Sequence, residues 1–146
     1  MTSNNPAEPG AILADAMARH QAGDLDVARP LYRQHLVLSP DDANAWCLLA
    51  ALEGQSGDHS GAGEAFQRAS EADPDWAPAY AGLGTSLLIR GESEQAVPAL
   101  RKALDLKPDN LDARMQLALA CRRTGRTAET IAALEEVLRR NPGHPD

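Results

Sequence analysis

Four prolines and four glycines recur on one step in this chain, and that step constrains the fold more than any other feature. Pro40, Pro74, Pro108 and Pro142 lie 34 residues apart, and Gly23, Gly57, Gly91 and Gly125 keep the same interval. Ala28, Ala62 and Ala96 follow it, with Thr130 in the fourth place. So do Tyr32, Phe66, Leu100 and Leu134, and so do Ala16, Ala50, Gly84 and Ala118. A fixed period of this length means a stack of like units rather than one folded-back core.

Each unit divides at its glycine into two helical stretches. The first carries an apolar stripe at i, i+3, i+4 and i+7, as at Tyr80, Leu83, Gly84 and Leu87. The second carries one at Ala96, Leu100, Ala103 and Leu104, and again at Ile131, Leu134, Val137 and Leu138. The glycine suits the residue just past a helix end, which often needs positive φ. Asp24 and Asp58 follow two of these glycines, placed to cap the next helix. Between units stand Pro40-Asp41-Asp42, Pro74-Asp75 and Pro108-Asp109-Asn110: proline ends one helix and the polar residue is expected to cap the next. Aromatics make up only 3% of the chain. The core is therefore aliphatic and alanine-rich, which favours closely packed helices. Gly84 reads as the small residue that lets paired helices approach. Pro30 and Pro98 share one place inside the second helix of their units, where a tolerated kink is expected.

These positions resemble the tetratricopeptide repeat (TPR), a 34-residue helix-turn-helix motif with set Trp, Leu-Gly, Tyr, Ala, Phe and Pro places. The resemblance covers residues 9–144 as units 9–42, 43–76, 77–110 and 111–144, with residues 1–8 a disordered lead. It implies an all-α, right-handed α-solenoid of about eight helices, with first helices on the concave side. Asp15 and Arg19 stand at two usually apolar places in the first unit, which suits a capping helix with a wet outer face. Arg114 stands where the middle units carry Trp46 and Tyr80.

No constellation in the sequence carries chemistry. Asp58-His59-Ser60 has triad residue types, but sequence neighbours cannot converge on one reacting atom. Gly57–Gly63 and Gly82-Leu83-Gly84 lack the strand and the Gly-Lys-Ser/Thr of phosphate loops. The four histidines never pair at i, i+4, and Cys47 and Cys121 have no nearby ligand set, so neither metal nor cofactor is expected. His35 falls where later units carry Ala69, Ala103 and Val137, and reads as a packed histidine. The net charge is −7, and residues 1–80 hold 12 acidic against 4 basic side chains, which disfavours nucleic acid. No apolar run is long enough to span a membrane and no secretory leader is visible at the start, so a cytoplasmic location is expected.

What remains is a binding surface. The resemblance places the groove at Leu13, Met17, His20, Asn44, Cys47, Leu48 and Ala51. It continues through Ala81, Gly82, Thr85 and Leu88 to Asp112, Met115, Gln116, Leu119 and Arg122. The places where a well-known subclass grips acidic chaperone tails hold Leu13, Met17, Leu48, Pro78 and Gly82, so that ligand is excluded. The groove is instead apolar, small-lined and adapted by methionine, suited to an apolar peptide or an amphipathic helix. Trp76 is expected either to staple the third unit's first helix against Tyr80 or to stand at the groove rim. The last helix, about residues 126–140, should expose Leu134 and Leu138 beside Arg122, Arg123, Arg126, Arg139 and Arg140. That patch implies either self-association, with head-to-tail contact to the acidic first half as the expected mode, or a chain cut from a longer protein. The expected function is a non-catalytic protein-interaction module with a protein or peptide partner. The alternative is the N-terminal arm of a larger bacterial-type enzyme, a glycosyltransferase, sulfotransferase or oxygenase, serving recruitment or dimerisation. A self-assembling spacer is a third reading.

Overall fold

The computed structural model of the chain describes residues 8–141 and 143. The expected lead at residues 1–8 lies outside that range except for Glu8, and so does Pro142. The described residues form eight α-helices and no strand. They fall in two compact units that divide between Pro74 and Asp75. The first unit holds α1 (Pro9–Gln21), α2 (Leu25–Leu38), α3 (Ala43–Gln55) and α4 (His59–Ala72). The second holds α5 (Ala77–Ile89), α6 (Ser93–Leu106), α7 (Leu111–Arg123) and α8 (Thr127–Arg140).

Each pair of helices turns at the periodic glycine. Gly23, Gly57, Gly91 and Gly125 have φ of 85°, 86°, 79° and 74°, the left-handed region that a side chain resists. At the first turn the Gly23 amide donates to the His20 carbonyl (3.0 Å) and the Asp24 amide to the Arg19 carbonyl (2.9 Å). The same doubled bonding recurs at the other three glycines, and it satisfies carbonyls that each helix end would leave open.

Helix starts follow the sequence reading only in part. Asp42, Asp58 and Asn110 each accept a backbone N–H three residues on, from Ala45, Gly61 and Ala113. Asp24 stands at the N-cap of α2 but its side chain makes no capping bond. At α5 the N-cap residue is Trp76 rather than Asp75. Pro78 lies in that first turn and has no N–H to cap, so one of the open donors is already missing. Pro30 and Pro98 sit inside α2 and α6 on their exposed sides, and both helices continue through them.

Packing is by small residues against large ones. In the first unit Ala16, Ala28, Tyr32, Leu36, Ala45, Leu49 and Leu52 form the core. In the second, Leu87, Leu88, Val97, Leu100 and Leu104 of α5 and α6 close on Ala113, Ala120 and Cys121 of α7. Gly84 is buried at the α5–α6 contact, and a Cβ there would lie 2.5 Å from Cγ of Leu100. At Gly54, near the end of α3, a Cβ would meet nothing within 4 Å. Gly84→Ala should therefore lower the unfolding free energy by about 1–2 kcal/mol despite alanine's better helix propensity. Gly54→Ala should raise it by about 0.5–1 kcal/mol. Urea unfolding of the two variants checks both signs, and equal effects would contradict the packing described.

Candidate functional site

The first-helix face of the second unit is built by α5 and α7, which lie side by side, with α8 behind α7. On α7, Met115, Leu119 and Arg122 recur at i, i+4 and i+7, and so share one stripe. Leu134 of α8 reaches the same place. Met115, Gln116, Leu119, Arg122 and Leu134 line one open recess of about 370 Å³, floored by Ala118 and Thr130. Its walls are mainly apolar, and Arg122 supplies the charge. Gln116 is held from the α5 side: its amide oxygen lies 2.7 Å from the Thr85 hydroxyl, which also lies 3.0 Å from the Ala81 carbonyl. Asp112 is exposed on α7 but does not line the recess. Leu138, one turn beyond Leu134, is exposed beside it.

In the first unit the side chains that the resemblance placed in the groove are disposed as follows. Leu13, Met17 and Leu48 pack against the unit's core, while Asn44 and Ala51 are exposed and Cys47 is half-buried. His20 is tied at both ends. Its Nδ1 lies 2.9 Å from the Tyr32 hydroxyl and its Nε2 2.8 Å from Oε1 of Gln55. Burial of Tyr32 pushes its phenol above the usual tyrosine range. Trp76 is half-buried, and its indole N–H is out of solvent with no acceptor among the described residues.

Several polar contacts were invisible in the period. His35 is buried, with Nδ1 2.7 Å from the Pro9 carbonyl and Nε2 2.7 Å from Oδ2 of Asp42. It thereby ties the start of α1 to the start of α3. Both partners are acceptors, and a neutral imidazole can donate to only one of them. Glu53 is buried on α3 and accepts from Nε of Arg29 at 2.8 Å, a bond that raises the guanidinium's already high pKa. A recess of about 480 Å³ opens beside it, between Arg33, Trp46 and Arg68, with the Arg68 guanidinium over the Trp46 ring.

Arg114 shows why the fourth unit departs from the aromatic pattern. The Trp46 indole N–H donates to the Pro40 carbonyl at 2.8 Å, and Nη2 of Arg114 donates to the Pro108 carbonyl at 2.8 Å. The residue type changes while the bond across the inter-pair turn is kept. Desolvation, with Arg140 and Arg139 nearby, lowers the Arg114 pKa. Among the described residues there is no group of three or more metal-ligating side chains, and no helix is long and apolar enough to cross a membrane.

Residues 12–144 match the family described as the cytochrome c-type biogenesis protein H TPR domain. The chain belongs to that family. Its fold is the all-α TPR solenoid. The crystal structure of MamA superposes on this TPR domain with a TM-score of 0.88 at 23% identity, over 94% of this chain and 81% of MamA. The structure of YrrB, described as a TPR protein with an unusual peptide-binding site, gives 0.86 at 22% identity, over 96% of this chain and 72% of YrrB. No curated protein matches. For this TPR domain, Arg114→Leu should cost about 1 kcal/mol in thermal or urea unfolding, the worth of the lost bond. Arg114→Trp, which keeps a donor and drops the charge, should cost nothing measurable. Equal losses in the two variants would contradict the bond's role.

Proposed function

We propose that the domain is a non-catalytic protein-interaction module whose first-helix face takes an apolar peptide or an amphipathic helix. One observation carries this reading. Of the side chains that the family resemblance placed in the groove, Met115, Gln116, Leu119 and Arg122 converge with Leu134 on one recess. Its apolar walls, flexible methionine and lone cation suit a segment that buries aliphatic side chains and turns a polar edge outward. Membership of a TPR family supports a protein partner, as does the peptide-binding site named for YrrB. In the first unit, Leu13, Met17, Asn44, Cys47 and Ala51 hold the corresponding places and are proposed as secondary contacts. In the second, Ala81, Thr85 and Asp112 are proposed as further contacts, and Trp76 as a rim contact. The comparisons return TPR proteins and do not favour the enzyme-arm reading.

The test is partner capture by the immobilised domain from the lysate of its source, compared between wild type and Met115→Glu. Met115 is half exposed at 48%, so the substitution should leave the helices intact. Loss of the captured species in Met115→Glu, with helical content unchanged by circular dichroism, is the expected result. Capture that is indifferent to Met115→Glu and to Met17→Glu would contradict the reading.

A further inference from the structure

The two units carry a recess at the same repeat positions, with different charges in it. In the second unit Arg114, Leu117, Glu129, Ala133 and Glu136 line a recess of about 650 Å³. Two repeat steps earlier stand Trp46, Leu49, Gly61, Ala65 and Arg68, which line the recess of about 480 Å³ in the first unit.

In the second unit the charges answer one another. Arg101 of α6 pairs with Glu129 of α8, and Glu136 pairs with Arg139 and Arg140. The first unit keeps the cation, as Arg33 of α2, and loses both carboxylates. Gly61 stands at the place of Glu129, and Arg68 at the place of Glu136. The cation that meets a carboxylate on the facing helix of the second unit therefore faces a residue with no side chain in the first.

The cations left over converge here. Residues 1–74 hold four basic side chains. Arg19 pairs with Asp15 and Asp24, and Arg29 with Asp26 and Glu53. The other two, Arg33 and Arg68, both line the recess. Arg33 is 65% exposed, and Glu53, 3.7 Å from it, already accepts from Nε of Arg29 at 2.8 Å. Arg68 lies over the Trp46 ring and has no ion pair among the described residues. Val37, 80% exposed, lines the same recess with the buried Leu36 and Leu49. Two arginines with spare donors beside an uncovered aliphatic surface suit a carboxylate with apolar neighbours. Glu53, Asp58 and Glu64 also line the recess and limit it to a single negative charge, against the nearly double charge of a phosphate.

We propose that the recess between α2 and α4 is a second interaction site, which takes an acidic side chain of a partner protein flanked by aliphatic residues. The carboxylate bonds to Arg33 and Arg68, in the role that Glu129 has in the second unit, and an aliphatic neighbour covers Val37. The site uses none of the residues of the Met115 recess and does not rest on that reading.

The probe is an acetylated, amidated peptide with one glutamate between leucines, and its glutamine counterpart is the control. Binding is followed by nitrogen-15 NMR at the Trp46 indole N–H, assigned with Trp46→Phe, up to about 10 mM peptide, which saturates a site with a Kd of about 1 mM. The expected result is a saturable shift that weakens about tenfold with the glutamine peptide, in Arg33→Glu and in Arg68→Glu, and that weakens as salt is raised. Met115→Glu should leave it unchanged. Gly61→Glu, which supplies a carboxylate from within once the Asp58 side chain turns aside, should abolish it. Both arginines are exposed, and circular dichroism checks that their variants are folded. No shift at Trp46, equal shifts with the two peptides, or binding indifferent to both arginine variants overturns the proposal. An equal response to inorganic phosphate also overturns it, since the recess would then read charge alone. Peptide binding lost in Met115→Glu but kept in Arg33→Glu assigns the acidic segment to the other recess, and overturns it too.

Discussion

Every helix pair in this protein closes through a glycine with positive φ, and the register of everything else depends on that turn. The left-handed residue lets two backbone amides reach back to the carbonyls of the helix just ended. The second helix then returns against the first at a fixed phase. That phase brings Ala16, Ala50, Gly84 and Ala118 to buried places, all of them small. At Gly84 the approach is so close that Leu100 fills the space a methyl group would need. With few aromatics available, the chain obtains its density from short distances between helices rather than from large side chains.

The same regularity shapes the faces that the helix pairs present. Within the second unit α7 lies across the face offered by α5 and α6. The face offered by α7 and α8 keeps the apolar pattern at Ile131, Leu134 and Leu138 while changing Leu88 for Arg122.

The fold was legible because a period averages over local noise. Five residue classes on a 34-residue step located all eight helices and the four left-handed glycines. Caps were legible at Asp42, Asp58 and Asn110, whereas Asp24 stands at the N-cap of α2 without a capping bond. They were misread at Asp75, where Pro78 removes one donor and Trp76 takes the cap position. The contacts of His35, Glu53 and Arg114 were not legible, since each departs from the period and finds its partner through the tertiary fold. For the site, the family resemblance pointed to Met115, Gln116, Leu119 and Arg122, and these four line one recess. Leu13 and Met17 hold the repeat positions of Met115 and Leu119, and Met17 and Leu119 each pack against the core of their own unit. The repeat position alone therefore does not tell a groove side chain from a core one.

The most direct test of the account is a nitrogen-15 NMR titration of the domain with the binding segment of the captured partner, following every backbone amide. The account predicts the largest shifts at residues 115–122 and around Leu134, with smaller ones on α1 and α3. Shifts centred away from that recess, or none at saturating segment, would contradict it.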